Sequence, residues 1–178
     1  MAKALDVARC LIRLGNRRKG ENMTNLRLQK LLYFGQLWSL RENGEPLFED
    51  EIEAWPYGPV VPAVYHAYKS YGNNPIPDDK KSLNNSSLTS QDLKLLFDLD
   101  HHYMDDSSSK LVRMSHEKDS PYDLAEKSQE KIISLESMKS YCQKMDEPQS
   151  YLEKLFMTIP VVSSDEEFFE DVEGGEWL

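Results

Sequence analysis

The sequence has few cysteines, no long apolar run and no glycine-rich phosphate-binding loop. Its two cysteines, Cys10 and Cys142, form no CxxC pattern, so we expect neither a disulfide nor a metal site and place both in the core. No apolar run approaches the roughly 20 residues that a membrane helix needs, and charged residues interrupt the apolar pattern of residues 1–20. Neither a Walker-type sequence nor GxGxxG occurs. We therefore expect a cytoplasmic protein with no membrane span, signal peptide or cofactor.

Positive charge is scarce in the second part of the chain. The net charge is -10; residues 1–60 hold nine Lys or Arg against eight Asp or Glu, whereas residues 61–178 hold twelve against twenty-three. Non-specific nucleic-acid binding needs a cationic face, so we expect no direct nucleic-acid partner. The distribution instead favours a protein partner with a basic surface, attracted at long range.

The chain does have helical periodicity, in a length of 178 residues that suits one core. Two short apolar pieces, at residues 45–48 and 51–55, predict a small β-hairpin or ribbon. The fold class is therefore mainly α with that small β element, an α+β arrangement in a compact single globular helical domain over residues 1–145. Residues 146–178 are predicted to form a short helix and an acidic aromatic C-terminal tail. Helices are predicted over Ala2–Arg18, Leu26–Glu42 and Pro59–Tyr71, then from Thr89, Leu111, Pro121 and Ser134.

Two faces can be distinguished on the predicted helix Leu26–Glu42. One apolar face is assigned to the core, and it consists of Leu28, Leu31, Leu32, Gly35 and Trp38. The neighbouring face carries Gln29, Tyr33 and Gln36. This polar and aromatic ridge is either an exposed surface or the floor of a groove, and we treat its residues as candidates for partner binding.

The turn from Trp55 to Pro62 combines an aromatic residue with three prolines and a glycine. Because proline fixes φ, a stiff turn presents Trp55 and Tyr57 at small entropic cost. Alternatively, Trp55 packs in the core while Gly58 and Pro59 only direct the chain into the next helix. Both interpretations stay open, so these four residues are also candidates for partner contact.

The last segment, Thr158–Leu178, contains seven acidic residues and no Lys or Arg. Such a run is typical of a solvated tail. Phe168, Phe169 and Trp177 stand among the acids, however, and aromatic residues in such a setting are typical of segments that order on a partner. We count all three as candidates for partner binding.

Catalytic chemistry has little support. His101 and His102 are adjacent and so do not place two ligands on one helix face, and His116 is expected to make a helix-end hydrogen bond to the backbone. Glu51 and Glu53 are expected to lie on a solvated strand face. We therefore expect no catalytic residue, no metal site and no enzymatic activity.

Three stretches carry a family resemblance. Residues 24–33 read Thr-Asn-Leu-Arg-Leu-Gln-Lys-Leu-Leu-Tyr, residues 53–60 read Glu-Ala-Trp-Pro-Tyr-Gly-Pro-Val, and residues 115–122 run from Ser-His to Ser-Pro-Tyr. The chain resembles the SocA-like antitoxin family, known as the Panacea domain, which is common on phage-related mobile elements. Tyr122 stands where the family pattern has tryptophan. The resemblance covers about residues 2–145.

The resemblance implies an antitoxin of a toxin–antitoxin system that neutralises a cognate protein toxin by direct protein–protein binding. Toxins paired with such domains look diverse, so the domain alone does not identify this one. One branch of the family acts as an adaptor that delivers its toxin to the ClpXP protease, which is an alternative here. A second alternative is a phage or prophage accessory protein whose acidic tail imitates nucleic acid and targets a host nucleic-acid enzyme.

Overall fold

The computed structural model describes residues 1–17, 23–78 and 86–145. The described residues form a single compact domain that is mostly helical with one two-stranded antiparallel sheet, which confirms the predicted fold class. No helix in these ranges is long and apolar enough to cross a membrane. In chain order the elements are α1 (Ala4–Asn16), α2 (Asn25–Asn43), β1 (Glu53–Trp55), β2 (Gly58–Val60), α3 (Pro62–Tyr68), a 3-10 turn (Lys69–Tyr71), α4 (Ser90–His102), α5 (Ser108–Ser115), α6 (Pro121–Lys127) and α7 (Leu135–Cys142).

Helix α2 is the centre of the fold, because α1, α3, α4, α5, α7 and β2 all contact it. It begins where the Thr24 side chain accepts a hydrogen bond from the Arg27 amide at 3.3 Å, and it ends at Gly44, whose φ is 72°. The predicted core face is buried in full, and so is most of the rest of the helix. A helix surrounded by neighbours has no solvated stripe, so its polar side chains need partners inside the protein.

Local capping explains where the later helices begin. Thr89 and Asp92 form a reciprocal capping box at the start of α4, where the sequence predicts a helix. Ser107, Ser120 and Ser134 each accept a hydrogen bond from the backbone amide three residues on, at the starts of α5, α6 and α7. These short helices pack around α2 and the hairpin, and α7 completes the described chain.

The hairpin differs from the predicted one. Strand β1 pairs antiparallel with β2, with Glu53 opposite Val60 and Trp55 opposite Gly58. Residues 45–48 do not pair with it; there the Ala2 amide donates to the Leu47 carbonyl at 3.1 Å instead. The partner strand is therefore the piece that the sequence assigned to the start of a helix.

Helix α3 accordingly begins at Pro62, not at Pro59. Pro59 suits the first turn of a helix by its φ, but here it lies in β2, at an edge position that needs no N–H donor. On α4, Leu93 is 41% exposed, and Leu95, Leu96 and Leu99 face the core. Cys10 and Cys142 are both buried, as predicted.

Candidate functional site

The floor of the site is a pair of buried amide side chains on the first turns of α2. The Gln29 carbonyl oxygen accepts from the Val61 amide at 2.8 Å, and its amide nitrogen donates to Asn25 Oδ1 at 3.0 Å. Asn25 Nδ2 in turn donates to the Tyr65 carbonyl at 3.1 Å. This chain of bonds fixes the exit of the hairpin and the start of α3 against α2.

Lys30 lies beside these amides and is fully buried. Its Nζ donates to the Pro59 carbonyl at 3.0 Å, and no ion pair joins it to a carboxylate among the described residues. Burial without a counter-ion disfavours the charged form and lowers the pKa of Lys30 to about 7. The side chain thus holds the hairpin turn from beneath.

Gly58 is the residue of the hairpin that lies directly against Lys30. Its φ is 99°, a conformation that residues with a Cβ rarely adopt. A Cβ there would lie 2.7 Å from Lys30 Nζ, 2.9 Å from His116 Cε1 and 3.1 Å from Ser115 Oγ. Only glycine lets the turn rest directly on these three side chains.

His116 and Tyr122 hold the same turn from the α5–α6 side. His116 Nδ1 lies 2.7 Å from the Val112 carbonyl, which confirms the predicted helix-end hydrogen bond. The His116 and Tyr122 rings are in contact, with centroids 4.3 Å apart, and Tyr122 Oη donates to the Trp55 carbonyl at 2.8 Å. No group of three or more His, Cys, Asp or Glu residues within the described ranges is placed to hold a metal ion.

Both outer edges of the hairpin are occupied within the described chain. On the β1 side, the Ala54 amide donates to the Lys131 carbonyl and the Ile133 amide donates to the Ile52 carbonyl, each at 2.8 Å. On the β2 side, Pro59 has no N–H and its carbonyl is bonded to Lys30. Addition of a partner strand to either edge would require these bonds to break, so recognition here depends on side chains.

The exposed face of the hairpin lines a groove of about 430 Å³. Trp55 is half-buried, with its indole N–H donating to Glu53 Oε2 at 2.7 Å and its ring edge-on to Tyr65 at 4.8 Å. Tyr57, at the turn, is 77% exposed. The lining also includes Leu26, Gln29 and Lys69. The arrangement is a concave, largely apolar surface beside a projecting aromatic side chain, which suits protein or peptide binding.

Glu53 does not lie on a solvated strand face, so that expectation is wrong for it. It is 9% exposed and pairs with Lys131 Nζ at 2.9 Å. The hydrogen bond from Trp55 is the main reason that its pKa is lowered, and the Lys131 contacts act in the same direction. Glu51 is exposed, as predicted. Glu53 is therefore a structural partner of Trp55.

The predicted ridge on α2 is not a surface. Gln29, Tyr33 and Gln36 are 2%, 1% and 3% exposed. Gln29 does lie on the floor of the groove, which is the other alternative that the sequence left open. Gln36 lines a second groove beside Pro46 and Phe48, while Tyr33 is in the core. Of the other candidates, Trp55 and Tyr57 line the groove, and Gly58 and Pro59 form its buried support.

Lys30 and Asn25 were missed as site residues, because a lysine in a helix ordinarily indicates solvent. The sequence does carry a signal: the residues four positions before and after Lys30 are Leu26 and Phe34, so its helix face is apolar and offers no acidic neighbour. Phe168, Phe169 and Trp177, and the short helix predicted within residues 146–178, lie outside the described residues.

Comparison with known proteins gives one family and one curated relative. A family model described as "Antitoxin SocA-like, Panacea domain" matches residues 28–122, more than half of the chain. Antitoxin SocA of Caulobacter vibrioides (strain NA1000 / CB15N) is 46% identical over 50 residues, which are 28% of this chain and 27% of that protein. The chain thus aligns with about a quarter of this relative's length. No solved structure matches the chain.

Proposed function

Because the chain belongs to the SocA-like antitoxin, Panacea-domain family, we propose that it neutralises a cognate protein toxin in the cytoplasm by direct protein–protein binding. The groove and the hairpin beside it form the contact surface on the folded body. Trp55, Tyr57 and Gln29 lie at this surface, and Gly58 and Pro59 support it. The residues that set the family pattern in this chain are, on this proposal, those that build and hold the binding surface.

The observation that carries the proposal is the exposure of Tyr57 on a fixed turn. The turn is bonded to Lys30 below and through Trp55 to Tyr122, while the Tyr57 side chain remains 77% exposed. An aromatic side chain held on a rigid support loses little conformational entropy when a partner covers it. Aromatic residues of this kind often provide most of the binding free energy at protein interfaces.

The acidic segment at residues 158–178 has a separate part in the proposal. It is expected to cover a basic surface of the toxin, since opposite charges accelerate association. Burial of Phe168, Phe169 or Trp177 at that surface would slow dissociation. The body and the acidic segment thus act on the toxin together.

The test is co-expression of the chain with its cognate toxin, combined with measurement of the affinity of the purified pair. Tyr57→Ala should weaken binding by about ten- to a hundredfold, the cost of an aromatic interface anchor, and should reduce growth rescue. Leu93→Ala is the matched control, because Leu93 is an exposed apolar residue on α4, away from the groove. Both variants should keep the wild-type free energy of unfolding to within about 0.5 kcal/mol.

Equal affinity and rescue for Tyr57→Ala and wild type would remove the hairpin from the interface. The two alternatives give different outcomes in the same experiment. Rescue that needs ClpXP, with no inhibition by the purified chain, would indicate a proteolytic adaptor. Absence of a complex with the toxin, together with binding to a host nucleic-acid enzyme, would indicate a phage accessory protein.

A further inference from the structure

The negative charge of this protein is concentrated in one segment. Residues 146–178 hold ten acidic residues and one lysine, so they account for nine of the ten net negative charges. The remaining chain, residues 1–145, carries a net charge of -1. The body therefore does not repel the segment as a whole, and local charge decides where the segment can bind.

The lining of the groove beside the hairpin carries one exposed cationic side chain. None of the residues that line it is Asp or Glu, whereas Lys69 lies exposed at its rim and Lys30 is buried beneath it. The polar groups of the floor are already used, because Asn25 and Gln29 bond to each other and to the backbone. The charged group left for a ligand is thus the Lys69 ammonium, which suits a carboxylate.

The groove also presents exposed apolar surface. Leu26 is 40% exposed at one side, and the Tyr57 ring stands at the other. A ligand that fits this site combines apolar or aromatic side chains with adjacent carboxylates. Residues 165–171 of this chain, Asp-Glu-Glu-Phe-Phe-Glu-Asp, have that composition.

We propose that the groove binds the chain's own acidic segment, residues 165–171, when no toxin is bound. Phe168 or Phe169 packs against Trp55 and Tyr57, and a neighbouring carboxylate pairs with Lys69. This inference goes beyond the proposed function, because it concerns the free protein. In the free protein, each of the two proposed toxin-binding surfaces, the segment and the hairpin, then covers the other. The toxin has to displace this contact to bind them.

The connection is long enough for this contact. Asp165 lies twenty positions after Met145, and an extended chain of that length reaches about 65 Å. A domain of this size has a radius of gyration of about 14 Å, so the segment can reach any of its faces. A tether of this length gives an effective concentration of about 1 mM, so an intrinsic affinity near that value would leave the groove occupied about half of the time.

The test uses the full chain and needs no toxin. A nitroxide is attached at Ser164→Cys; the native Cys10 and Cys142 are both buried and should not react. Paramagnetic broadening of amide signals then reports which face the segment visits. The expected broadening is centred on Leu26, Tyr57 and Asn73. The signals of Gln91 and Leu93, at the start of α4 beside Asn43 at the other end of α2, should retain their intensities.

Two variants of the labelled chain separate this contact from chance proximity. Lys69→Glu should restore the signals of the groove by reversing its charge, and Phe168→Ala combined with Phe169→Ala should do the same by removing the apolar contact. Lys118→Glu changes an equally exposed lysine outside the groove lining and should leave the broadening in place. Broadening centred elsewhere, none at all, or broadening that persists in Lys69→Glu would overturn the proposal. None of these outcomes depends on toxin binding, so the proposed function is tested independently.

Discussion

Lys30 shows how one buried side chain determines the position of the whole hairpin. Its aliphatic stem lies among apolar neighbours and its amine holds the Pro59 carbonyl, with no counter-ion among the described residues. The charged amine is costly in such a place, whereas the neutral amine can still donate the same hydrogen bond. Its protonation state therefore affects the stability of the fold.

Stability should accordingly rise with pH above neutrality. The pKa of Lys30 is about 7 in the folded protein and about 10.5 when unfolded, so between these values the unfolded chain binds more protons and folding is favoured as pH increases. We expect a gain of about 2 kcal/mol in the free energy of unfolding between pH 7 and pH 9, relative to Lys30→Met. Above about pH 9 the rise in wild-type stability levels off, because burial raises the pKa of Cys10 from 9.0 to about 11 and the unfolded thiol then loses its proton first.

Urea denaturation of both proteins across this pH range measures the difference directly. Lys30→Met lacks the hydrogen bond to Pro59 at every pH. This loss shifts its curve of unfolding free energy against pH without changing the slope of that curve. Parallel curves for wild type and Lys30→Met would show that Lys30 keeps an ordinary pKa.

Gly58 provides a second prediction at this scale. Gly58→Ala should destabilise the fold by about 3 kcal/mol, because alanine is strained at a φ of 99° and its Cβ would lie 2.7 Å from Lys30 Nζ. Gly44→Ala is the control: its φ is also positive, at 72°, but nothing lies within 4 Å of the added Cβ. It should cost only about 1 kcal/mol in thermal denaturation. If the two variants lose similar amounts of stability, the side chains beneath Gly58 can move aside for the added Cβ at little cost in free energy.

Individual residues were predictable where their role is local. His116 bonds to the backbone four residues before it, as a helix-end histidine should. Gln29 and Gln36 both line grooves, which is one of the two alternatives that the sequence left open. The partners of Gln36 are loop amides eleven and twelve positions away, which no local pattern contains. Periodicity identifies the face of a helix; it does not identify which loop will cover that face.

At the scale of elements, buried amide side chains attach loops to α2. Gln36 Oε1 accepts from the Leu47 and Phe48 amides, at 2.9 and 3.2 Å, and its Nε2 donates to the Phe48 carbonyl at 3.1 Å. Gln29 does the same for the start of α3. These bonds take the place of the backbone ladder that the sequence predicted for residues 45–48.

Gln36→Leu should therefore cost about 2–4 kcal/mol, since it leaves two buried N–H groups without an acceptor while keeping the side-chain volume similar. Faster hydrogen exchange should follow at Leu47 and Phe48 before it appears elsewhere. Gln91→Leu is a suitable comparison, because Gln91 is exposed and donates a hydrogen bond to the Asn43 side chain at the end of α2. If the two leucine variants unfold at the same denaturant concentration, the Gln36 bonds contribute nothing to stability.

Helix starts were predicted well, and strand pairing was not. Thr24, Thr89 and Ser134 cap helices through bonds to residues three positions on, so the signal lies within one turn. Pro59 is different: its fixed φ is compatible with a helix start and with an edge strand. The choice between them is made by Lys30, 29 residues earlier in the chain, and no local pattern contains that contact.

At the scale of the whole molecule, a nearly neutral body is joined to a strongly acidic segment. The fold class follows from helical periodicity and chain length, and both are properties of the sequence alone. The groove is formed by α2, the hairpin and α3 together. Its shape therefore could not be predicted from the sequence of any one element. The distribution of charge along the chain, in contrast, can be read from the sequence alone. It gives a prediction about the rate of association with the toxin.

Association with the toxin should be faster at low ionic strength, and the acidic segment should be the source of that dependence. The triple variant Asp165→Asn, Glu166→Gln and Glu167→Gln should lower the association rate about three- to tenfold at low salt, and the difference from wild type should shrink as salt screens the charges. Stopped-flow mixing with the toxin over a range of salt concentrations provides the measurement.

The matched control removes three negative charges from exposed positions of the body: Glu45→Gln, Glu49→Gln and Glu51→Gln. Both triple variants have the same net charge, so any difference between them reports where the charge lies. Steering by the segment requires the first triple variant to associate more slowly than the second. If both lose the same amount, net charge alone explains the rate, and if neither changes, the encounter is governed by the hairpin and the groove.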